Sequence, residues 1–162
     1  MMKNYIGVSF AFAHTYTNHL GRLFENIQVE AYTWYSLQSE NYISGTKGLD
    51  FFLTNGVYSG EEFRKMIEET EYYIHLLCLY GVPNGKSFDP KQIKNYDDYL
   101  KSNAAIALFS GDSIVDLYCK DSGMLEVIAT ACNQDNGESI DKSHDAVRLF
   151  TTQEDERTGF YI

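Results

Sequence analysis

The chain predicts an α+β fold: one domain spanning residues 1–162, with a largely antiparallel sheet of about five to eight strands flanked by about four helices. Three observations predict it. Strand-like and helix-like stretches follow one another in mixed order, with mostly short connections and no regular βαβ alternation. Residues 103–137 read as a β-hairpin feeding directly into an amphipathic helix, a unit that can seed a core through local contacts. Thirteen Tyr and ten Phe give an aromatic content that suits strand-rich structure and leaves amphipathic rings near the surface.

Taken in order, residues 4–12 alternate well enough for a first strand. The apolar start is too short, and too interrupted by Gly7 and Ser9, to read as a secretory leader. Leu20, Leu23, Phe24 and Ile27 recur at helical spacing over 15–26, with Thr15 or Thr17 as the cap. Val29, Tyr32, Thr33, Trp34 and Tyr35 make 29–37 the second strand. Turn signals at Ser44-Gly45 and Lys47-Gly48 divide 38–55 into a meander of short strands.

Ser59-Gly60-Glu61-Glu62 is a capping box, in which the Ser hydroxyl accepts from the amide three residues on and Glu62 reaches back. The helix it opens, 60–69, puts Phe63, Met66 and Ile67 on one face. Residues 71–80 form a long apolar strand with little alternation, which predicts a central position covered on both faces. The Gly, Pro and Asn content of 81–90 predicts a loop, and Asn95 caps a short helix over 95–100 whose early acids suit the helix dipole.

In the hairpin, apolar runs 104–110 and 113–120 flank Gly111-Asp112, a pair that allows the positive φ of a tight turn. Asp121 or Ser122 then caps a helix with Met124, Leu125, Val127, Ile128, Ala131 and Cys132 as its apolar stripe, stopped at Asn136-Gly137. Beyond it, 139–140 and 146–151 supply one or two strands, 153–158 is a charged turn, and Phe160-Tyr161-Ile162 is apolar enough to pair at a sheet edge.

Composition narrows function more by exclusion than by assignment. With 23 acidic against 13 basic side chains, the net charge is −10 and the excess runs through both halves of the chain. Nucleic-acid binding rests on neutralising phosphates with Lys and Arg, so such a partner is not expected, whereas a basic protein suits this field. No stretch approaches the ~20 apolar residues of a membrane span. The three cysteines, Cys78, Cys119 and Cys132, stand at unrelated spacings in apolar surroundings and read as reduced, buried and structural.

Motifs of chemistry are near misses. Gly81 to Ser87 echoes a phosphate loop, but only three residues separate its glycines and no helix follows Ser87. Asn133 to Glu138 echoes a calcium loop, but Cys132 stands where the first acidic ligand belongs. His14, His19, His75 and His144 lack paired metal-ligand spacing, and His75 reads as a hydrogen-bonded core residue. No cofactor, metal or catalytic residue is assigned. The expected interaction surface is acidic and aromatic: Tyr32, Trp34 and Tyr35 with Tyr96, Asp97, Asp98 and Tyr99. The competing reading puts Trp34 in the core and the tyrosines half-buried along the sheet.

The opening strand and helix, Tyr32-Thr33-Trp34-Tyr35, Gly60-Glu61-Glu62-Phe63, Tyr72-Tyr73-Ile74, the run from Tyr96 to Ser102 and the run from Val115 to Asp121 together resemble an uncharacterised bacterial family. That family is one of small cytoplasmic proteins, described only as a domain of unknown function. The resemblance implies a bacterial, soluble, cytoplasmic protein and supplies no activity, cofactor or site residue. The expectation is a non-enzymatic, acidic protein-binding module, immunity-like toward a basic partner. The alternatives are an enzyme or small-ligand binder whose site is assembled from dispersed residues such as His14, His19, Trp34 and the tyrosines, and a structural subunit that pairs as a homodimer through 159–162.

Overall fold

The computed structural model describes residues 4–43, 52, 55–143 and 147–152. Their strands are β1 (Gly7–Ala11), β2 (Tyr32–Ile43), β3 (Gly56–Tyr58), β4 (Tyr72–Pro83), β5 (Ile106–Gly111), β6 (Ile114–Cys119) and β7 (Arg148–Phe150). Their helices are α1 (His19–Leu23), α2 (Gly60–Glu69), α3 (Tyr96–Lys101) and α4 (Ser122–Gln134). The seven strands form one sheet in the order β3-β2-β4-β5-β6-β1-β7, every pair antiparallel. The α+β fold with a largely antiparallel sheet is therefore what this sequence adopts. β4 sits inside the sheet between β2 and β5, as its unbroken apolar run requires.

Successive side chains of a strand alternate between faces, and the two faces of this sheet are covered differently. On the first, α1, α2 and α4 press Leu20, Leu23, Phe63, Ile67, Leu125 and Ile128 onto Val8, Phe10, Trp34, Leu79, Leu108 and Leu117. On the second, α3 and the segment before it bring Phe88, Ile93 and Tyr99 over Tyr80, Val82, Ala107, Tyr118 and Phe150.

Local chemistry explains most element starts. The Ser59 hydroxyl accepts from Glu62 N–H at 3.1 Å, half of the expected capping box. Asp121 caps α4 by accepting from Gly123 and Met124 N–H at 2.9 and 3.1 Å. The α4 stripe buries Leu125, Ile128, Ala129 and Cys132, while Val127 turns toward solvent. Asn95 caps α3 by accepting from Asp98 N–H at 2.9 Å. Gly60 is required by close approach: a Cβ there would stand 2.5 Å from Glu30 Cα and 2.6 Å from Val29 O, main-chain atoms that cannot swing away.

The structure departs from expectation where a distant partner overrides local pattern. α1 is a five-residue helix, because Thr17 pairs with Tyr72 as a β-bridge and the chain cannot turn until Asn18. Neither Thr15 nor Thr17 is its cap. Val29–Ala31 is a 3-10 turn, and β2 begins at Tyr32 and continues to Ile43 because β4 offers pairing along its whole length. Of the expected 38–55 meander, 38–43 thus belongs to β2, while 44–51, 53 and 54 lie outside the described residues. β4 likewise runs on to Pro83, through the first three residues of the expected 81–90 loop. The hairpin turn lies one residue later than expected: Asp112 and Ser113 take φ of 51° and 67°, and Gly111 pairs with Ile114 in the ladder. The Ser113 hydroxyl, donating to Ile74 O at 2.8 Å, anchors that turn to β4. The expected turn at 153–158 and edge strand at 159–162, and with them the homodimer contact, lie outside the described residues.

Candidate functional site

The expected acidic-aromatic residues do not share one face. Trp34 is fully buried beneath α2, stacked on Phe63 with ring centroids 4.2 Å apart, and its indole N–H donates to Val29 O at 3.0 Å. Tyr32 lies beside it, half-buried, on the same face. Tyr35 points to the opposite face, where its ring meets Phe88 at 5.1 Å. Tyr99 is buried there too, its hydroxyl donating to Ala105 O at 2.8 Å, with half-buried Tyr96 against it at 6.0 Å. Asp97 is exposed, and the Asp98 carboxylate accepts from Lys94 N–H at 2.9 Å, which ties it to the start of α3. Trp34 and Tyr99 are core residues; the exposed remainder of that set is Asp97, with Tyr32, Tyr35, Tyr96 and Asp98 at partial exposure.

The fold instead sorts charge in a way that no local stretch reveals. The segments that make and flank the helices of the first face, 19–31, 59–71 and 121–138, carry eleven carboxylates and three cations. Ten of those carboxylates are exposed; Asp135 is partly buried. The segment over the second face, 86–101, carries four lysines and three aspartates, so it is close to neutral. Two of the three cations on the acidic side are held in ion pairs. Arg22 meets Glu138 at 2.7 Å and Asp135 at 3.8 Å, and Arg64 meets Glu30 at 3.3 Å and Glu68 at 3.5 Å. Arg64 also donates to the carbonyls of Phe24 and Ile27, closing the chain after α1, and its bonds to Glu30 hold that carboxyl below its ordinary range. Sequence reasoning passed over Arg64, whose partners other than Glu68 stand 34 to 40 residues away.

The densest constellation of reactive side chain types surrounds His19. Its Nε2 is 2.9 Å from Thr15 O and its Nδ1 is 2.8 Å from Ser139 Oγ. A carbonyl only accepts, so Nε2 carries the proton and bare Nδ1 accepts from the Ser139 hydroxyl. Burial, ahead of every other cause, lowers the His19 pKa from 6.5. A serine beside a neutral imidazole has the composition of a nucleophile and base. Here the geometry forbids that use: His19 and Ser139 are 0% and 1% exposed. The adjoining void, lined by Arg22, Cys132 and Asp135, measures about 10 Å³ and admits no substrate. The Asp135 carboxylate gives one oxygen to the amides of Gly137, Ser139 and Ile140, so it orients the loop and not the imidazole. The network is a structural clasp between the approach to α1 and the segment after α4. An Asp two residues before Gly137 was a readable sign of the turn, but nothing local joined Ser139 to a histidine 120 residues earlier.

The other candidates carry less chemistry. A groove of about 550 Å³ between 87–93 and α3 is lined by Asp89, Gln92, Asp98 and Lys101, and several of its polar atoms serve local backbone. His75 is not a core residue: at the bulge of β4 its ring turns outward, 3.5 Å from the Asp112 carboxylate. His14 Nδ1 and Tyr73 OH meet at 2.7 Å on the surface. Cys78, Cys119 and Cys132 are free and buried, their thiols pushed up to about 12, 11 and 12, so none is a ready nucleophile near neutrality. No group of three or more His, Cys, Asp or Glu among the described residues could hold a metal ion, and no described helix is long and apolar enough to cross a membrane.

The chain is 26% identical over 160 residues to the uncharacterized protein YncE of Bacillus subtilis (strain 168), covering 96% of this chain and 98% of that protein. No solved structure matches significantly. The model of one family spans residues 5–161, which takes in every described strand and helix. On that match the chain belongs to the family described as protein of unknown function (DUF2691).

Proposed function

We propose that this protein is a non-enzymatic binding module, immunity-like in character, whose partner is a basic protein held by the acidic helical layer. The observation that carries the reading is the sorting of charge: eleven carboxylates against three cations on the helical side, a near-neutral opposite side. Such a field steers a cationic partner to one face and orients it on arrival. The closed state of the His19–Ser139 pair removes the one nucleophile-like arrangement seen among the described residues, which supports binding over catalysis. Three buried free thiols suit a reducing compartment, and a cytoplasmic location goes with this reading.

The test is capture of basic proteins on the tagged chain at low and at moderate salt, followed by titration of the retained protein. Wild type is expected to hold a basic partner through moderate salt. The variant Glu61→Lys, Glu69→Lys, Glu126→Lys is expected to weaken it by at least ~10-fold, with Asp97→Lys on α3 nearly silent. Loss of binding in Asp97→Lys alone would move the interface to the aromatic side. Failure to retain any basic protein at either salt would sink the reading.

A further inference from the structure

We propose that His19 and Ser139 form an acid-labile clasp, closed at neutral pH, that releases the segment 135–141 from the approach to α1 when the imidazole takes a second proton. The argument begins with hydrogen-bond direction. In the closed form Nε2–H donates to Thr15 O at 2.9 Å and the Ser139 hydroxyl donates to Nδ1 at 2.8 Å. Protonation turns Nδ1 into a donor, and the hydroxyl must then swing its hydrogen elsewhere. Ser139 is 1% exposed, and the void beside it, about 10 Å³, is no larger than the minimum a single water needs. The closed clasp therefore offers solvent little room beside the new proton.

The groups facing the ring offset the charge only in part: hydrogen bonding to the backbone of Thr15 and Ser139 favours the charged ring, and burial outweighs it. Arg22, one turn on in α1, repels a cation, while Asp135 attracts one with a carboxylate already given to three amides and to Arg22. Tyr72, whose ring packs on the imidazole from β4, uses its hydroxyl to accept from Leu20 N–H and donate to Ile67 O. Phe12 covers the ring at 5.0 Å, Cys132 contributes a buried thiol to the same void, and Glu138 is taken by Arg22.

Apart from the clasp, the segment is held by the buried Ile140 side chain, which sits in the core and pairs with Phe12 as a β-bridge. Across its width the segment makes two main-chain bonds to the β1 side, Ala13 N–H to Ser139 O and Asp141 N–H to Ala11 O. Beyond these it has the exposed Arg22–Glu138 pair and a long Thr15 hydroxyl contact to Glu138 O. The bonds of Ser139 and Ile140 N–H to the Asp135 carboxylate are internal and travel with it, while that carboxylate also meets Arg22 at 3.8 Å.

The sign follows from linkage. His19 has its pKa depressed when the clasp is closed and regains 6.5 when open, so protons bind the open form preferentially. Opening is favoured as pH falls below 6.5, by up to about tenfold per pH unit, until the closed form itself protonates.

Amide hydrogen exchange at residues 137–141, corrected for intrinsic rates, tests this between pH 7.5 and 5.0. Wild type is expected to lose protection at these amides, by about tenfold for each unit of His19 depression. Core amides of β5 are expected to change far less. His19→Gln is expected to show no such pH dependence. Ser139→Ala, which keeps the imidazole, is expected to be poorly protected already at pH 7.5. Should His19→Gln fail to fold, titration of the wild-type His19 ring by NMR decides the matter. A ring that titrates at or above 6.5, protection that stays flat in wild type, or pH dependence that persists in His19→Gln each overturns the proposal.

Discussion

The two faces of the sheet share one set of strands yet are finished by different means. Beneath α1, α2 and α4 the core is aliphatic with a stacked centre of Trp34, Phe63 and Phe52, sealed and acid-coated outside. Beneath α3 the cover is thin, and Tyr35, Phe88, Tyr80, Phe109, Tyr118, Tyr96 and Phe150 form a chain of mostly edge-on and tilted contacts. Rings tolerate partial exposure better than branched aliphatics, because one edge or a hydroxyl can stay wet. Five of the thirteen tyrosines, Tyr35, Tyr80, Tyr96, Tyr99 and Tyr118, sit in this thin layer. Depth of cover, more than hydrophobicity of the strand, separates the two faces.

That contrast breaks most visibly under truncation. Trp34→Ala on the deep face is expected to cost about 3–5 kcal/mol in denaturant unfolding, whereas half-buried Tyr35→Ala on the thin face costs about 1–2 kcal/mol. Equal losses would mean the thin face is covered as deeply as the other.

Removing single hydroxyls sharpens it further. Tyr72→Phe deletes a buried group that accepts from Leu20 N–H at 2.7 Å and donates to Ile67 O at 3.1 Å. It is expected to destabilise by about 2 kcal/mol. Tyr80, on the thin face, buries a hydroxyl toward the Cys78 thiol without a hydrogen bond of ordinary geometry. Tyr80→Phe is expected to be neutral or to stabilise by a few tenths up to ~1 kcal/mol, and a loss like that of Tyr72→Phe would reveal a partner for it.

A smaller effect distinguishes the faces by pH. His19 is buried neutral on the deep face with its pKa lowered, so global stability is fully present above 6.5 and falls as pH drops below it. The slope is at most about 1.4 kcal/mol per pH unit from this group, read from chemical denaturation at stepped pH and absent in His19→Gln. Smaller again, Asp121→Ala removes the cap of α4 and is expected to cost about 1 kcal/mol, with Asp121→Asn close to neutral.

Several elements were legible because their causes lie within a few residues. Ser59 and Glu62 stand three apart, Asp121 stands two and three residues from the amides it caps, and the hairpin partners of β5 and β6 are separated only by their turn. The buried thiols were legible from the apolar runs that hold them. The site was not, since each decisive pairing crosses the chain: Thr17 with Tyr72, Arg64 with Phe24 and Ile27, His19 with Ser139. Aromatic clusters in sequence were misleading for the same reason. Trp34 and Tyr35 are neighbours in the chain and, by the alternation of a strand, face opposite layers.

By itself, then, the sequence determined the α+β class, the capped helices, the hairpin, the interior position of β4 and the acidic total, because periodicity, cap chemistry and charge are properties of short stretches or of their sum. Tertiary structure alone decided how long β2 and β4 run, which side of the sheet receives the carboxylates, and that His19 meets a serine it can neither activate nor expose. Those outcomes depend on which distant segments pair and how deeply they bury one another, and burial is a property of the assembled layers.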